Sequence, residues 1–219
     1  MVVTIDGPAG VGKSTVARKS AENAGFFYIN SGSFYRAITL AVLENGSAPE
    51  DGNAVLKTAH FCRLDVNGDR VLLDGKDVES RLHSDSVDAW VAVHSAIPEV
   101  REIVNARLRE LAKGHDVVVE GRDIGSLVFP TAELKIFLDA DVSTRAERRY
   151  EQGVSGLTLD QIRSAIQERD LVDRNKPAGP LVAAEDAVCI DTSHLTIDQV
   201  CERVAAAILV SRNNPGDIR

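Results

Sequence analysis

Continuous apolar runs recur along the chain and predict strands that are buried on both faces. The runs are VVTI (2–5), FFYIN (26–30), DVVVEG (116–121), LKIFLDAD (134–141) and AVCIDTS (187–193). Strands in a parallel sheet, covered by helices on both sides, have this unbroken apolar pattern. Helical patterns separate the runs, so the sequence predicts an α/β fold with a five-stranded parallel sheet flanked by helices.

Two long helices are predicted from their apolar spacing and end signals. PEVREIVNARLRELAKG (98–114) has a proline at its start and a glycine at its stop. The second helix opens on Thr158-x-x-Gln161, a capping-box pattern. Its apolar stripe continues on the same side as Arg169 and Asp173. A helix with one packing end and one charged end is typical of a hinged lid, which we expect at about 145–176.

The pattern changes between about residues 62 and 91, where RLDVNGDRVLLDGKDV alternates apolar and polar positions. Asn67-Gly68 and Asp74-Gly75 are both favourable hairpin turn pairs. This stretch therefore predicts a small antiparallel sheet inserted into a single domain that spans residues 1–219.

Composition and charge narrow the function. The chain has 219 residues and a net charge of −8, which disfavours a nucleic-acid binder held by a basic face. Its three cysteines form no Cys-x-x-Cys pair, so neither a zinc ribbon nor a disulfide framework is indicated. No apolar run reaches the roughly 18 residues of a membrane span, and the N-terminus lacks a secretory pattern. We expect a soluble, cytoplasmic protein, monomeric, with no nucleic-acid or membrane partner.

A phosphate-binding loop follows the first strand. Gly7-Pro8-Ala9-Gly10-Val11-Gly12-Lys13-Ser14 fits Gly-x-x-x-x-Gly-Lys-Ser/Thr, and a predicted helix follows directly. Lys13 is expected to reach the β- and γ-phosphates of ATP, and the Ser14 hydroxyl to hold Mg²⁺. A GTPase is disfavoured, because the Asn-Lys pair at 175–176 continues as Pro-Ala rather than x-Asp.

Arginines stand beside acidic or hydroxyl groups at predicted strand ends and on the lid helix. Arg36 and Arg122 are suited to gripping a phosphorylated acceptor, although either could instead be a surface cation or part of a local ion pair. Glu120 is placed to order magnesium waters, or is simply a strand-end carboxylate. Arg145 and Arg148 follow the LKIFLD strand and belong either to the lid or to a solvated basic face.

In order and spacing these motifs resemble the bacterial cytidylate kinases, a family of P-loop nucleoside monophosphate kinases. The segments that carry the resemblance are TIDGPAGVGKST, SGSFYR, PEVR, EGRDIGSLVFP, KIFLDA and ERDLVDRN…PL, which together span nearly the whole chain. The resemblance implies transfer of the γ-phosphoryl group of ATP, with Mg²⁺, to CMP or dCMP in pyrimidine nucleotide metabolism. It also implies that about 31–101 is the CMP-binding region and contains the inserted sheet.

The resemblance assigns roles residue by residue. CMP or dCMP would be bound by Ser31, Tyr35, Arg36, Arg101, Arg122, Asp123, Arg169, Asp173 and Lys176. Arg101 and Asp123 would read cytosine, Arg122 would hold the acceptor phosphate, and Arg169 and Asp173 would contact the sugar. The catalytic set would be Lys13, Arg122, Arg148 and Arg169, and the ATP site would comprise Gly7, Pro8, Ala9, Gly10, Val11, Gly12, Lys13, Ser14, Thr15 and Arg145. Ser14 and, through water, Glu120 would hold the metal.

Two positions depart from the family pattern. Ala92 occupies a position where the family usually has a serine that helps hold the base, and Lys176 one where it usually has an arginine. Lysine keeps the charge of arginine but loses its bidentate geometry, so acceptor affinity and base discrimination are the properties affected. Alternative functions are another P-loop kinase, for a different nucleotide or a small metabolite, and a regulatory protein that only binds or hydrolyses ATP.

Overall fold

The computed structural model describes residues 1–151, 153, 156–176 and 178–213. Its chain divides into two compact units, the first comprising Met1–Phe26 and Asp116–Arg219 and the second Phe27–His115. Residues 152, 154, 155, 177 and 214–219 of the predicted domain (1–219) lie outside the described residues. The first three of these also belong to the predicted lid (145–176).

The chain begins and ends in the first compact unit and passes through the second unit in between. The first unit begins with β1 (Val2–Asp6) and α1 (Lys13–Ala24). The elements of the second unit are β2 (Phe27–Asn30), α2 (Ser31–Glu44), α3 (Gly52–Phe61), β3 (Leu64–Asn67), β4 (Arg70–Leu73), β5 (Lys76–Asp77), α4 (Asp85–His94) and α5 (Pro98–Ala112). The first unit resumes with β6 (Val117–Gly121), a π-helical segment (Ile124–Val128), β7 (Leu134–Asp139), α6 (Val142–Glu151), α7 (Leu159–Asn175), β8 (Val188–Asp191) and α8 (Ile197–Asn213).

A five-stranded sheet, in the order β2-β6-β1-β7-β8, confirms the predicted architecture. Strand β1 lies between β6 and β7 and is parallel to both, with Ile5 opposite Glu120 on one side and Ile136 on the other. Val3 and Ile5 are fully buried, as the unbroken apolar run predicts. Because the strands are parallel, their carboxyl ends, and the polar residues that follow them, share one edge of the sheet.

The small antiparallel sheet is also present, but it is shorter than the sequence predicted. Strands β3, β4 and β5 pair in order within residues 64–77. Asp74 and Gly75 both adopt positive φ, 51° and 79°, as a two-residue hairpin turn of this kind requires. The predicted interval ran on to residue 91, yet the chain from Asp85 is helix α4, whose Ser84 cap accepts a hydrogen bond from the Val87 amide.

Helix α7 packs on α6 through its predicted apolar stripe. Ile162 and Ile166 form a buried cluster with Ala146 of α6, with Leu159 packed against it. The capping box also forms: the Gln161 amide donates to the Thr158 hydroxyl, and the Thr158 amide donates to Gln161 Oε1. Within the described part of the chain, no helix is long and apolar enough to cross a membrane.

Removing the Thr158 cap is expected to destabilise α7. Thr158→Ala leaves a helix-start amide without its side-chain acceptor, and the free energy of unfolding should fall by about 1 kcal/mol. Denaturant unfolding measures the change, and Thr158→Ser, which keeps the hydroxyl, serves as the control. An unchanged midpoint for Thr158→Ala would show that the cap contributes nothing to stability.

Candidate active site

The loop between β1 and α1 has the conformation that phosphate binding needs. Gly7 has φ 150°, and a Cβ built there would collide with the backbone carbonyl oxygen of Leu138 on β7. Gly12, with φ 93°, precedes the first turn of α1, where no side chain caps the helix. The free amides of that turn and the helix dipole favour an anion at this point.

Lys13, at the start of α1, is buried and anchored on the loop itself. Its Nζ donates to the Pro8 carbonyl oxygen at 2.7 Å. Burial holds the pKa of the Lys13 ammonium well below its usual range, and nearby Arg122 lowers the pKa further. Glu120 and Asp6 act in the opposite direction. A triphosphate would add negative charge beside Lys13 and so favour its charged form.

Glu120 and Ser14 have a chemistry that fits a magnesium ion bound together with ATP. Glu120 is buried at the end of β6, and Ser14 is exposed on the first turn of α1. Among the described residues, no group of three or more His, Cys, Asp or Glu side chains could hold a metal. One hydroxyl and one carboxylate are the donor set expected when phosphates and water supply most of the ligands.

Asp6 ends β1 and holds the segment that follows Arg122 and Asp123. Its two carboxylate oxygens accept from the Ile124 amide at 2.9 Å and the Gly125 amide at 2.7 Å. Burial raises the pKa of Asp6 to about 6, although the two hydrogen bonds lower it. Nearby Asp123 also raises this pKa, and Lys13 lowers it. The sequence analysis did not assign Asp6, although its position before the first loop glycine is a usable signal.

Three cations surround Asp173 on α7. Arg122 Nε lies 3.2 Å and Lys176 Nζ 2.7 Å from its carboxylate, and Arg169 Nε lies at 3.8 Å. Burial acts to raise the pKa of Asp173, but these cations outweigh it and the pKa is below its usual range. Arg122 also donates to the Gly7 carbonyl oxygen at 3.1 Å. The structure therefore brings together four of the predicted acceptor-site residues, the aspartate and its three cations. Asp123, which follows Arg122 in the chain, is buried.

Arg145 and Arg148, the predicted lid arginines on α6, both have extensive contacts. The Arg145 guanidinium is buried, donates to the Ala9 carbonyl oxygen at 3.2 Å, and pairs with Asp170 on α7. Arg148 donates to the Thr192 and Leu195 carbonyl oxygens after β8, at 2.6 and 3.3 Å. Neither belongs to a solvated basic face, so that alternative is wrong for both. Their roles toward ATP stay predictions.

The second unit contains the remaining predicted acceptor residues. Ser31 and Tyr35 are buried on the first turns of α2. Arg101 is buried on α5, donates to the Ser95 carbonyl oxygen at 3.2 Å, and lies over the Tyr35 ring at 5.5 Å. Arg36 is mostly buried rather than a surface cation, and it pairs with Asp88 at 2.6 Å.

The two departures from the family pattern lie in ordinary surroundings. Ala92 is exposed on α4, and its carbonyl oxygen accepts from the Ser95 hydroxyl at 3.1 Å. Lys176 makes its ion pair to Asp173 within one turn. A single ammonium group is enough for this ion pair. Asp173 therefore keeps a cationic partner at position 176, although lysine stands where the family usually has arginine.

Comparison with known proteins identifies the family. The cytidylate kinase family model matches residues 3–209. The chain belongs to the cytidylate kinase family. A cytidylate kinase from Caldanaerobacter subterraneus subsp. tengcongensis is 43% identical over 219 residues, covering 99% of this chain and 97% of that protein. One from Mycobacterium avium is also 43% identical, covering 93% of each.

A solved structure supports the fold independently. Shikimate kinase from Bacteroides thetaiotaomicron superposes with a TM-score of 0.50 at 11% identity, covering 95% of this chain and 98% of that one. At such low identity the similarity concerns the fold alone. The shared fold is the predicted α/β architecture, a parallel sheet flanked by helices.

Proposed function

We propose that the protein transfers the γ-phosphoryl group of ATP to CMP or dCMP, giving ADP and CDP or dCDP. Membership of the cytidylate kinase family carries this proposal. The buried Lys13 on the phosphate loop and the arginine-rich surroundings of Asp173 are the chemistry that two phosphorylated substrates need. An acceptor that is already a phosphate oxygen needs no general base, so positioning and charge neutralisation are sufficient.

The ATP site is proposed to consist of the loop from Gly7 to Thr15 together with Arg145. Lys13 would leave the Pro8 carbonyl oxygen and bind the β- and γ-phosphates, for which the loop amides are the other donors. Mg²⁺, when bound with ATP, would neutralise phosphate charge, with Ser14 as a direct ligand and Glu120 through water. Arg148 is proposed to act on the transferring phosphoryl group after releasing its present carbonyl contacts.

Each proposed acceptor residue has a chemical task. Arg122 and Arg36 would bind the CMP phosphate through their guanidinium groups, in exchange for the carboxylates with which they now pair. Asp123 would accept from the cytosine amino group, and Arg101 would donate to the ring acceptors. Arg169 and Asp173 would contact the sugar, and Ser31, Tyr35 and Lys176 would complete the CMP-binding pocket.

An acceptor panel tests this function. We expect ATP consumption to require CMP or dCMP, and kcat/KM for UMP to be lower by at least about 10², because a buried carboxylate faces the uracil carbonyl unfavourably. The purified protein is assayed with ATP and Mg²⁺ alone, and then with CMP, dCMP, UMP, AMP and shikimate, with each product identified.

The other outcomes identify the alternatives. Preference for another acceptor would indicate a different P-loop kinase, and hydrolysis that ignores every acceptor would indicate a regulatory ATPase. Equal turnover of UMP would show that Asp123 does not discriminate the base.

We propose that the enzyme works as a cytoplasmic monomer. Light scattering on a size-exclusion column tests the oligomeric state.

A further inference from the structure

Asp170, a residue that the sequence analysis did not assign, pairs with Arg145 in a buried bidentate contact. The two carboxylate oxygens of Asp170 accept from Arg145 Nη1 at 3.0 Å and Nη2 at 2.6 Å. The Arg145 side chain is 3% exposed and that of Asp170 is 12% exposed. A guanidinium so deeply buried needs a paired carboxylate, and removing the carboxylate leaves a charge that the surroundings tolerate poorly.

The same guanidinium is fixed to the phosphate loop. Arg145 Nη1 donates to the Ala9 carbonyl oxygen at 3.2 Å, and Nε donates to the Ala140 carbonyl oxygen at 3.0 Å. The stem of Arg145 also packs beside Gly10, where a built Cβ would lie 3.5 Å from the Arg145 Cβ. Asp170, Arg145 and the loop therefore form one continuous set of contacts from helix α7 to the 9–10 peptide.

The 9–10 peptide is the part of the loop that this contact orients. A trans peptide is planar, so its C=O and N–H point in opposite directions. A donor that holds the Ala9 carbonyl on one side therefore directs the Gly10 amide to the other side. Loop amides that point inward are what a P-loop offers to phosphate.

We propose that Asp170 is a positioning residue for ATP: it holds Arg145 on the Ala9 carbonyl and so keeps the Gly10 amide directed at the nucleotide phosphates. This inference rests on the proposed kinase function. It assigns Asp170 a role through Arg145 and the loop backbone, without contact to either substrate.

Asp170→Asn tests the proposal, because asparagine keeps the size but loses the charge and one acceptor oxygen. We expect the dissociation constant for ATP, measured by calorimetry without acceptor, to rise about tenfold. The KM for CMP should change less than threefold. The effect should nearly vanish when Arg145→Met is already present, since Asp170 acts through Arg145.

Two further variants separate positioning from stability. Asp186→Asn is the matched control, because it removes the carboxylate that pairs with another buried cation, Lys135. The carbonyl oxygen that Lys135 holds is that of Pro130, which is not part of the phosphate loop. This variant should lower thermal stability and leave ATP affinity unchanged. Asp170→Glu, which keeps the charge, should retain most of the affinity and provides a reading if Asp170→Asn folds poorly.

The outcomes are distinct from those of the proposed function. Asp170→Asn with unchanged ATP affinity, or with an equal loss in the Arg145→Met background, would overturn the positioning role. A wild-type protein that binds ATP but does not phosphorylate CMP would overturn the kinase proposal instead. The calorimetric measurement remains valid in that case, because it needs no acceptor.

Discussion

Lys13→Met is expected to lower kcat/KM for CMP phosphorylation by about 10³, as the loss of a preorganised charge at a transferring group does. Methionine keeps the apolar stem of Lys13 and removes the ammonium that now rests on the Pro8 carbonyl oxygen. Because burial lowers the pKa of Lys13, the folded state already disfavours the charged form. The variant should therefore be at least as stable as the wild type, and the lost activity cannot be attributed to unfolding.

Lys19→Met is the control for Lys13→Met, since Lys19 lies on the same helix. Its ion pair with Asp198 is exposed, with the lysine 47% and the aspartate 82% exposed. Solvent screens exposed pairs of this kind, so they contribute little to stability, and activity and melting temperature should stay near wild-type values. Steady-state kinetics and thermal unfolding of both variants give the comparison. Activity within tenfold of wild type in Lys13→Met would exclude Lys13 from phosphate binding.

Local sequence signals were sufficient to predict the parallel sheet and the phosphate-binding loop. The unbroken apolar runs predicted parallel strands, because burial on both faces leaves little room for polar positions. The loop at 7–14 was predictable because its glycines, its lysine and the helix that follows it are contiguous in the chain. The capping box at Thr158 was predictable for the same reason, since its partners are three residues apart.

Long-range pairings of charged residues were not predictable. Arg145 could have paired with a neighbour on α6, but its partner is Asp170, 25 residues along the chain. Asp6 holds amides 118 and 119 residues away. The small sheet was extended too far in the prediction because the sequence after Asp77 contains no strong helix signal until Ser84, whose cap only the structure reveals.

The stability of the protein should decrease with rising pH, relative to an Asp6→Asn variant, between about pH 4 and pH 7. In the folded protein the pKa of Asp6 is raised to about 6, from an ordinary value of 3.8. Between these values the folded protein keeps a proton that the unfolded chain has lost, so unfolding becomes easier as pH rises. The full difference is about 3 kcal/mol, at roughly 1.4 kcal/mol for each unit of pKa.

Asp6→Asn isolates this effect because it shares every other titrating group with the wild type. Denaturant unfolding of both proteins at pH 4, 5, 6 and 7 gives the difference directly, and carbon NMR of the Asp6 carboxyl group should show a midpoint near 6. A difference that stays flat across this range would mean that Asp6 titrates like an exposed carboxyl group.

Ionisation of Asp6 lowers the stability of the protein, but the ionised group also holds the backbone beside the acceptor residue Asp123. The two Asp6 oxygens accept from the Ile124 and Gly125 amides, which directly follow Asp123, and these hydrogen bonds are strongest when the carboxyl group is ionised. Asparagine has one acceptor oxygen and turns its own N–H groups toward the second amide. At pH 7 we therefore expect Asp6→Asn to be at least as stable as the wild type but to have a higher KM for CMP. That combination would indicate that a buried charge is retained for substrate binding at the expense of stability.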